Sequence, residues 1–202
     1  MTDTRSTRDR NKQAGDRYAG RRARSEQAIL QATRELIAER GVEGLTVEAV
    51  AARSGVAKTT IYRRWRDKDE LALAVLVDKT DKISAPPDLG DTRKELLTFV
   101  RTAKKIIKPS RVYQGLASDI ATKPKLGRIY REKIVDVRLA EVKTVIDRGI
   151  ARGDLRPDTD VRIAHELLVG PLFYRLLFSG APLDTKHENQ IVDAVMNAFR
   201  PR

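Results

Sequence analysis

Lys58, Thr59, Thr60, Tyr62, Arg63, Arg64 and Lys68 crowd into one short stretch, and their side chains are of the kinds that grip a polyanion. An arginine fork in a major groove can bond both O6 and N7 of guanine, the commonest base-specific contact. Thr59 and Thr60 can reach a thymine methyl group or a phosphate. Tyr62, Lys68 and the nearby Thr46 are donors better suited to phosphates, which position a protein without reading sequence. From Ala57 to Lys68 the basic residues are Lys58, Arg63, Arg64, Arg66 and Lys68 against Asp67 alone, a net of +4. Other chemistry is poorly supplied. The chain has no Cys, which excludes disulfides, thiolate metal sites and a cysteine nucleophile. His165 and His187 are its two histidines, too few for zinc chemistry or a histidine-based triad. There is no Gly-rich phosphate loop and no recognisable carboxylate pair. No enzymatic activity, catalytic residue, cofactor or metal is therefore expected.

The elements that must position this chemistry are short helices. Thr46 caps a segment over Val47–Arg53, which ends at Ser54-Gly55, and Val56 opens a second segment through Ile61, Tyr62 and Trp65. Gly55 falls in the turn, where a left-handed backbone costs glycine least. Small Ala51 permits a close helix crossing. The spacing is that of a helix-turn-helix whose second helix can lie in a DNA major groove. Ile61 and Trp65 face inward on that helix, while Lys58, Thr59, Thr60 and Arg63 face out. Arg64 stands where an apolar residue is usual, and Trp65 is expected to supply the packing instead. Before this unit, Ser25 is the expected N-cap of a helix with Ile29, Leu30, Thr33, Leu36 and Ile37 inward, ending at Gly41. After it, Asp67-x-x-Glu70 is a capping box opening a helix to about Ile83.

Gly41-Val-x-Gly-Leu-Thr46, followed by Val50-Ala-Ala-Arg-Ser-Gly55-Val-Ala-Lys-Thr-Thr-Ile-Tyr-Arg-Arg-Trp65-Arg-Asp-Lys68-Asp-Glu-Leu71, resembles the signature of the TetR family. The resemblance spans about residues 25–72. It implies a three-helix DNA-binding head, a fourth helix leading to a larger ligand-binding and dimerising body, and a dimer on an inverted-repeat operator. Such proteins are usually repressors released by a small molecule. The implied DNA contacts are Thr46, Lys58, Thr59, Thr60, Tyr62, Arg63, Arg64 and Lys68. Many members carry His or Tyr where Arg64 stands, which leaves its role open between phosphate and base. Arg152-Gly-Asp-Leu-Arg-Pro157-Asp and Leu168-Val-Gly-Pro-Leu-Phe-Tyr-Arg-Leu-Leu-Phe178 are similar to the C-terminal domain of one large subgroup.

The rest of the chain is read as all-α, with about nine helices and no strand-period segment. Of 202 residues, 40 are Lys or Arg and 28 are Asp or Glu, a formal charge of +12. Residues 1–24 carry Arg5, Arg8, Arg10, Lys12, Arg17, Arg21, Arg22 and Arg24 against Asp3, Asp9 and Asp16. With almost no large apolar side chain, they are expected to form a flexible basic arm. Residues 25–70 form the helix-turn-helix domain and 71–202 the helical ligand-binding and dimerisation body. Ser84–Asp91 is the expected hinge. Body helices are expected at about 92–108, 111–121, 125–152, 159–179 and 185–199. Leu167–Phe178 is apolar nearly all round, so it needs cover on two sides. The expected cover is the core on one side and a second copy on the other, giving a homodimer through the helices at 159–179 and 185–199. Gly170-Pro171 should kink the first of them. Phe99, Tyr113, Tyr130, His165 and Tyr174 are the ligand-pocket candidates, each able to set an amphipathic ring in an apolar cavity. Arg101, Lys104, Lys105 and Lys108 line one helix face, with more basic residues at 123–133, as a solvated face or a funnel for an anion. No stretch approaches the roughly 20 apolar residues of a membrane helix, and the charged N-terminal stretch without an apolar core is not expected to act as a signal peptide, so the protein is expected in the cytoplasm without a membrane partner. The leading function is a DNA-binding, effector-responsive transcriptional repressor. An operator-independent architectural DNA-binding protein is the alternative.

Overall fold

The structure, a computed structural model, describes residues 4–80, 85–107 and 111–201, with side chains from residue 20 onward except 79 and 80. Ser84 of the expected hinge and Lys108 and Pro109 of the next turn lie outside the described residues. So do the basic side chains of the arm before Arg21. The chain divides into two compact units, Met1–Val75 and Leu76–Arg202. Among the described residues all regular structure is helical.

In the first unit, α1 runs from Thr4 to Arg40. This differs from the expected start at Ser25. The Ser25 hydroxyl donates to the Arg21 carbonyl at 3.0 Å, one turn back within the helix, and caps nothing. The segment contains no proline, and a helix already nucleated by its buried end extends at little further cost per residue. Gly41, at φ 74°, ends it. α2 (Val47–Ser54) is capped by Thr46, whose side chain accepts from the Ala49 N–H at 3.1 Å. Gly55 closes α2 at φ 68°, a conformation that a Cβ would strain. α3 (Lys58–Tyr62) is shorter than the expected second helix; Arg63, Arg64 and Trp65 continue it as turns bonded to Thr59 and Ile61 carbonyls. Ile29, Leu36, Leu45, Val50 and Ile61 are buried together as the core of this unit. Arg53 clamps α2 to α1 through two bonds to Glu39, at 2.6 and 3.0 Å. α4 (Lys68–Thr80) opens with a variant of the expected box: Asp67 accepts from the Asp69 and Glu70 N–H groups, while Glu70 reaches back to the Arg66 N–H, one residue before the cap.

The two units divide after Val75, within α4. The second unit is built on α5 (Thr92–Ile107), which packs against α8 (Asp136–Arg152), α9 (Val161–Tyr174) and α10 (Thr185–Ala198). Leu96, Phe99 and Val100 of α5 meet Val142 and Ile146, Ala164 and Leu168, and Val192 and Val195 in one apolar core. α6 (Arg111–Thr122) and α7 (Pro124–Tyr130) precede α8, and the expected long helix at 125–152 is one run in which Arg131–Val135 form a π turn. A second π turn, Arg175–Ser179, follows α9, four residues after Pro171, which lies inside that helix. Such turns insert an extra residue and rotate the faces that follow.

The Arg152-Gly-Asp-Leu-Arg motif is a three-way junction. Gly153, at φ 78°, ends α8, and Asp154 accepts from the Thr92 hydroxyl at 2.7 Å. Leu155 is buried, and the Arg156 N–H donates to the Phe199 carbonyl at 2.9 Å. Beside it, fully buried Glu95 receives Arg152 at 3.0 Å, Arg148 at 3.3 Å and the Leu89 N–H at 3.1 Å. Arg148 also donates to the Pro86 carbonyl at 2.9 Å, so the segment expected as a hinge is tied to α8. Replacing Glu95 by Ala strips a buried carboxylate from two guanidiniums and is expected to cost about 3 kcal/mol. Urea unfolding with an unchanged slope will measure it; a loss below about 0.5 kcal/mol contradicts the account.

Candidate nucleic-acid interface and body cavity

In the first unit, the turn at Gly55 delivers α3 with Ile61 fully buried. One turn of helix therefore presents Lys58, Thr59, Tyr62 and Arg63 outward, all exposed, with Tyr62 at 50%. Thr60 is half-buried. Arg63 makes no ion pair among the described residues, whereas Lys58 reaches Glu48 at 3.1 Å. Thr46 is exposed beside them, its oxygen occupied by the cap and its hydroxyl proton still available. Arg64 and Lys68 are placed otherwise. The Arg64 side chain is only 11% exposed; it donates to the Arg22 carbonyl at 3.1 Å and approaches Glu26 at 3.5 Å. It holds α1 against the end of α3. Lys68 donates to the carbonyls of Glu43 at 3.1 Å and Val42 at 3.4 Å, tying the start of α4 to the loop after α1.

In the second unit, a cavity of about 230 Å³ opens between α5, α6, the π turn at Arg131–Val135, α8 and α9. Its walls are apolar, with Ile106, Ile107, Ile134, Leu139 and Val169 among them. Tyr113, Tyr130 and Phe173 form an aromatic corner, with ring centroids 6.4 Å apart for the tyrosines and 5.1 Å for Tyr113 and Phe173. Burial raises Tyr113 above the ordinary phenol range and pushes Tyr130 up to about 12, and the two phenols influence each other. His165 also lines the cavity; burial, with help from the Arg138 and Arg162 charges, holds it down to about 4. It is thus a neutral imidazole at pH 7.

Arg138 is the cavity's buried cation. Its side chain is 6% exposed, it bonds Glu141 (8% exposed) at 2.5 Å, and its guanidinium lies 4.4 Å over the Phe99 ring. Burial lowers the Arg138 pKa and raises that of Glu141, against their mutual attraction. One Arg138 nitrogen, Nη2, and one Glu141 oxygen, Oε1, have no partner among the described residues.

Residues 29–75 match the model of the bacterial regulatory proteins of the tetR family, and residues 86–195 match the tetracyclin repressor-like C-terminal domain. The HTH-type transcriptional regulator YdeS of Bacillus subtilis is 31% identical over 176 residues, covering 86% of this chain and 87% of that protein. The chain belongs to the TetR family. It is a DNA-binding transcriptional regulator, and its helix-turn-helix is the family's DNA-binding element. The DNA-binding transcriptional repressor TetR of Mycobacteroides abscessus is 27% identical over 175 residues, covering 84% of this chain and 90% of that protein. A crystal structure of a TetR family transcription regulator superposes with TM-score 0.69 at 30% identity, covering 88% of this chain and 99% of the other. The regulator FadR of Bacillus subtilis, solved in complex with stearoyl-CoA, shares the fold with TM-score 0.60 at 17% identity, covering 85% and 95%.

Within this TetR-family body, Tyr113, Tyr130 and His165 of the sequence-derived candidates share the cavity. Phe99 does not line it: it is 1% exposed beneath Arg138, facing a second recess by Pro86 and Pro87. Tyr174 is 61% exposed, tilted against Phe178 at 5.9 Å, outside the cavity. Arg138 and Phe173 also line the cavity and are not among the sequence-derived candidates. Arg138 did leave a signal, since it falls between Ile134 and Val142 on the inward stripe of its helix, where a charge must have a purpose. The basic face of α5 also resolves: Arg101 at 3.0 Å and Lys104 both converge on Glu188 of α10, whose side chain is 3% exposed.

His165 makes stability depend on pH. Its folded pKa, about 4, lies below the unfolded value near 6.5, so the unfolded chain binds the extra proton first. Its full contribution is present above pH 6.5 and falls away as pH drops toward 4. A His165→Asn variant is expected to lose less stability over that window, by up to about 3 kcal/mol. Parallel stability profiles from pH 6.5 to 4 would overturn this.

Proposed function

We propose that the protein is a dimeric repressor that binds an inverted-repeat operator in the cytoplasm and leaves it when a small molecule fills the body cavity. The observation that carries this reading is the outward face of α3, where Thr59, Tyr62 and Arg63 stand exposed beside a buried Ile61. Thr46, Lys58, Thr59, Thr60, Tyr62 and Arg63 are proposed as contacts. Arg63 reads a base and the others serve mainly phosphates. Arg64 and Lys68 act by fixing α1, α3 and α4 rather than by reaching DNA. The residue 1–24 segment adds sequence-tolerant phosphate contacts. The dimer reading is supported by Ile163, Leu167, Tyr174 and Phe178, exposed by 45, 40, 61 and 79% at helical spacing along α9 and the π turn after it. A two-fold axis there would cover the same stripe of each copy. Effector binding would favour a conformation that fits the operator less well, weakening DNA binding by the coupling free energy.

Selection of bound sequences from a random duplex pool is expected to yield two half-sites about one DNA turn, roughly 34–36 Å, apart. Sequence-blind recovery would favour the architectural reading instead. Arg63→Ala is expected to cost about 1–3 kcal/mol and erase the preference at one position in each half-site; an equal loss on every duplex would make Arg63 a phosphate contact. Removing residues 1–24 is expected to flatten the salt dependence of the same binding, and an unchanged slope refutes the arm contacts. Leu167→Glu places a charge in the proposed dimer stripe. Light scattering is expected to find a dimer in the parent and a monomer in the variant, and a monomeric parent at micromolar concentration ends the dimer proposal.

A further inference from the structure

The polar groups around the cavity set the chemistry of what can enter it. Tyr113 and Tyr130 both line the cavity; their hydroxyls hold two protons between them, and a bond from one to the other would use only one, leaving a donor. Arg138 uses Nη1 on Glu141, leaving Nη2, a charged donor, without a partner among the described residues. Arg138 and the tyrosine pair, all lining the cavity, thus carry unspent donors, and a buried donor left unmade is costly. What they lack is an acceptor; Glu141 Oε1, also without a partner among the described residues, belongs to a residue that does not line this cavity.

Charge decides which acceptor. Glu141 already neutralises Arg138, and both side chains are more than nine-tenths buried. A carboxylate ligand would be a second anion on one guanidinium, close to Glu141, in surroundings that already disfavour the charge Glu141 carries. His165 offers no compensating charge, because it is neutral. Arg162 at the rim is exposed and has exposed Glu166 one turn away on α9, so solvent screens it and a carboxylate offsets it. A neutral oxygen acceptor takes up the donors and adds no uncompensated charge. The volume, about 230 Å³, lies below the roughly 300–1,000 Å³ of clefts for drug-sized ligands. Ile106, Ile107, Phe173 and the tyrosine rings cover the rest of such a molecule with apolar surface.

We propose that the cavity selects a small, uncharged, mostly apolar carbonyl compound whose oxygen accepts from Arg138 and from the Tyr113–Tyr130 hydroxyl pair. The inference rests on the reading of this cavity as the effector site, and names its ligand class.

Calorimetry on the full chain without DNA tests it with three probes of similar shape: acetophenone, ethylbenzene and benzoate. Acetophenone is expected to bind about tenfold more tightly than ethylbenzene, and benzoate more weakly than acetophenone at pH 7.5. The double variant Arg138→Met with Glu141→Met exchanges the buried pair for apolar side chains, a change folded proteins tolerate. It is expected to bring acetophenone to within about twofold of ethylbenzene while binding of the hydrocarbon persists. Tyr130→Phe, which keeps the ring, is expected to narrow the preference in part. The proposal is overturned by benzoate binding as tightly as acetophenone, by a carbonyl preference that survives the double variant, or by no probe binding at millimolar concentration. A protein that binds acetophenone as described yet keeps its operator would end the effector reading and leave the ligand class standing.

Discussion

Among the described residues of the body, three carboxylates are buried, and a buried charge without a partner costs several kcal/mol. Glu95 is 0%, Glu188 2% and Glu141 6% exposed, so each must be met by a cation from a fixed direction. Glu188 draws Arg101 and Lys104 across from α5, setting α10 against it. Glu95 draws Arg148 and Arg152 from α8 and, through them, Pro86 and Asp88 of the preceding segment. These matches orient the apolar faces of α5, α8 and α10, which burial alone would press together without choosing a rotation.

Glu141 is the incomplete case. Its partner Arg138 lies on the same helix three residues away, so the pair ties no two helices together and leaves one donor and one acceptor unused. A folded chain seldom leaves such groups buried unless something completes them. The incompleteness lies beside the aromatic corner of the cavity and one turn from the π turn that shapes its wall. Packing and electrostatics therefore converge on Arg138, a residue without any conspicuous motif around it.

The head was largely legible beforehand because its determinants are local. Thr46, Gly55 and Asp67 act on backbone within three residues of themselves, through a cap, a left-handed turn and a capping box, and each stands in the structure as its type implies. Arg64 shows the limit of that logic. A basic residue in a basic stretch reads as a DNA contact, yet its side chain turns to Arg22 and Glu26, partners some forty residues earlier that no local pattern indicates. The same holds for the start of α1, where low hydrophobicity implied an arm although the backbone continues the helix to Thr4.

Periodicity, caps and glycines determined from the amino-acid order that the protein is all-α, where most helices end, and that α3 presents its basic face outward. Those properties depend on neighbours within one or two turns. Which body charges are solvated and which are buried, that Tyr113, Tyr130 and His165 share a cavity while Tyr174 does not, and that Arg138 stands half-satisfied among them were decided only by the tertiary structure. A helix face has no fate until another helix covers it, and the burial that makes a charge costly or a ring part of a pocket exists only once distant segments pack together.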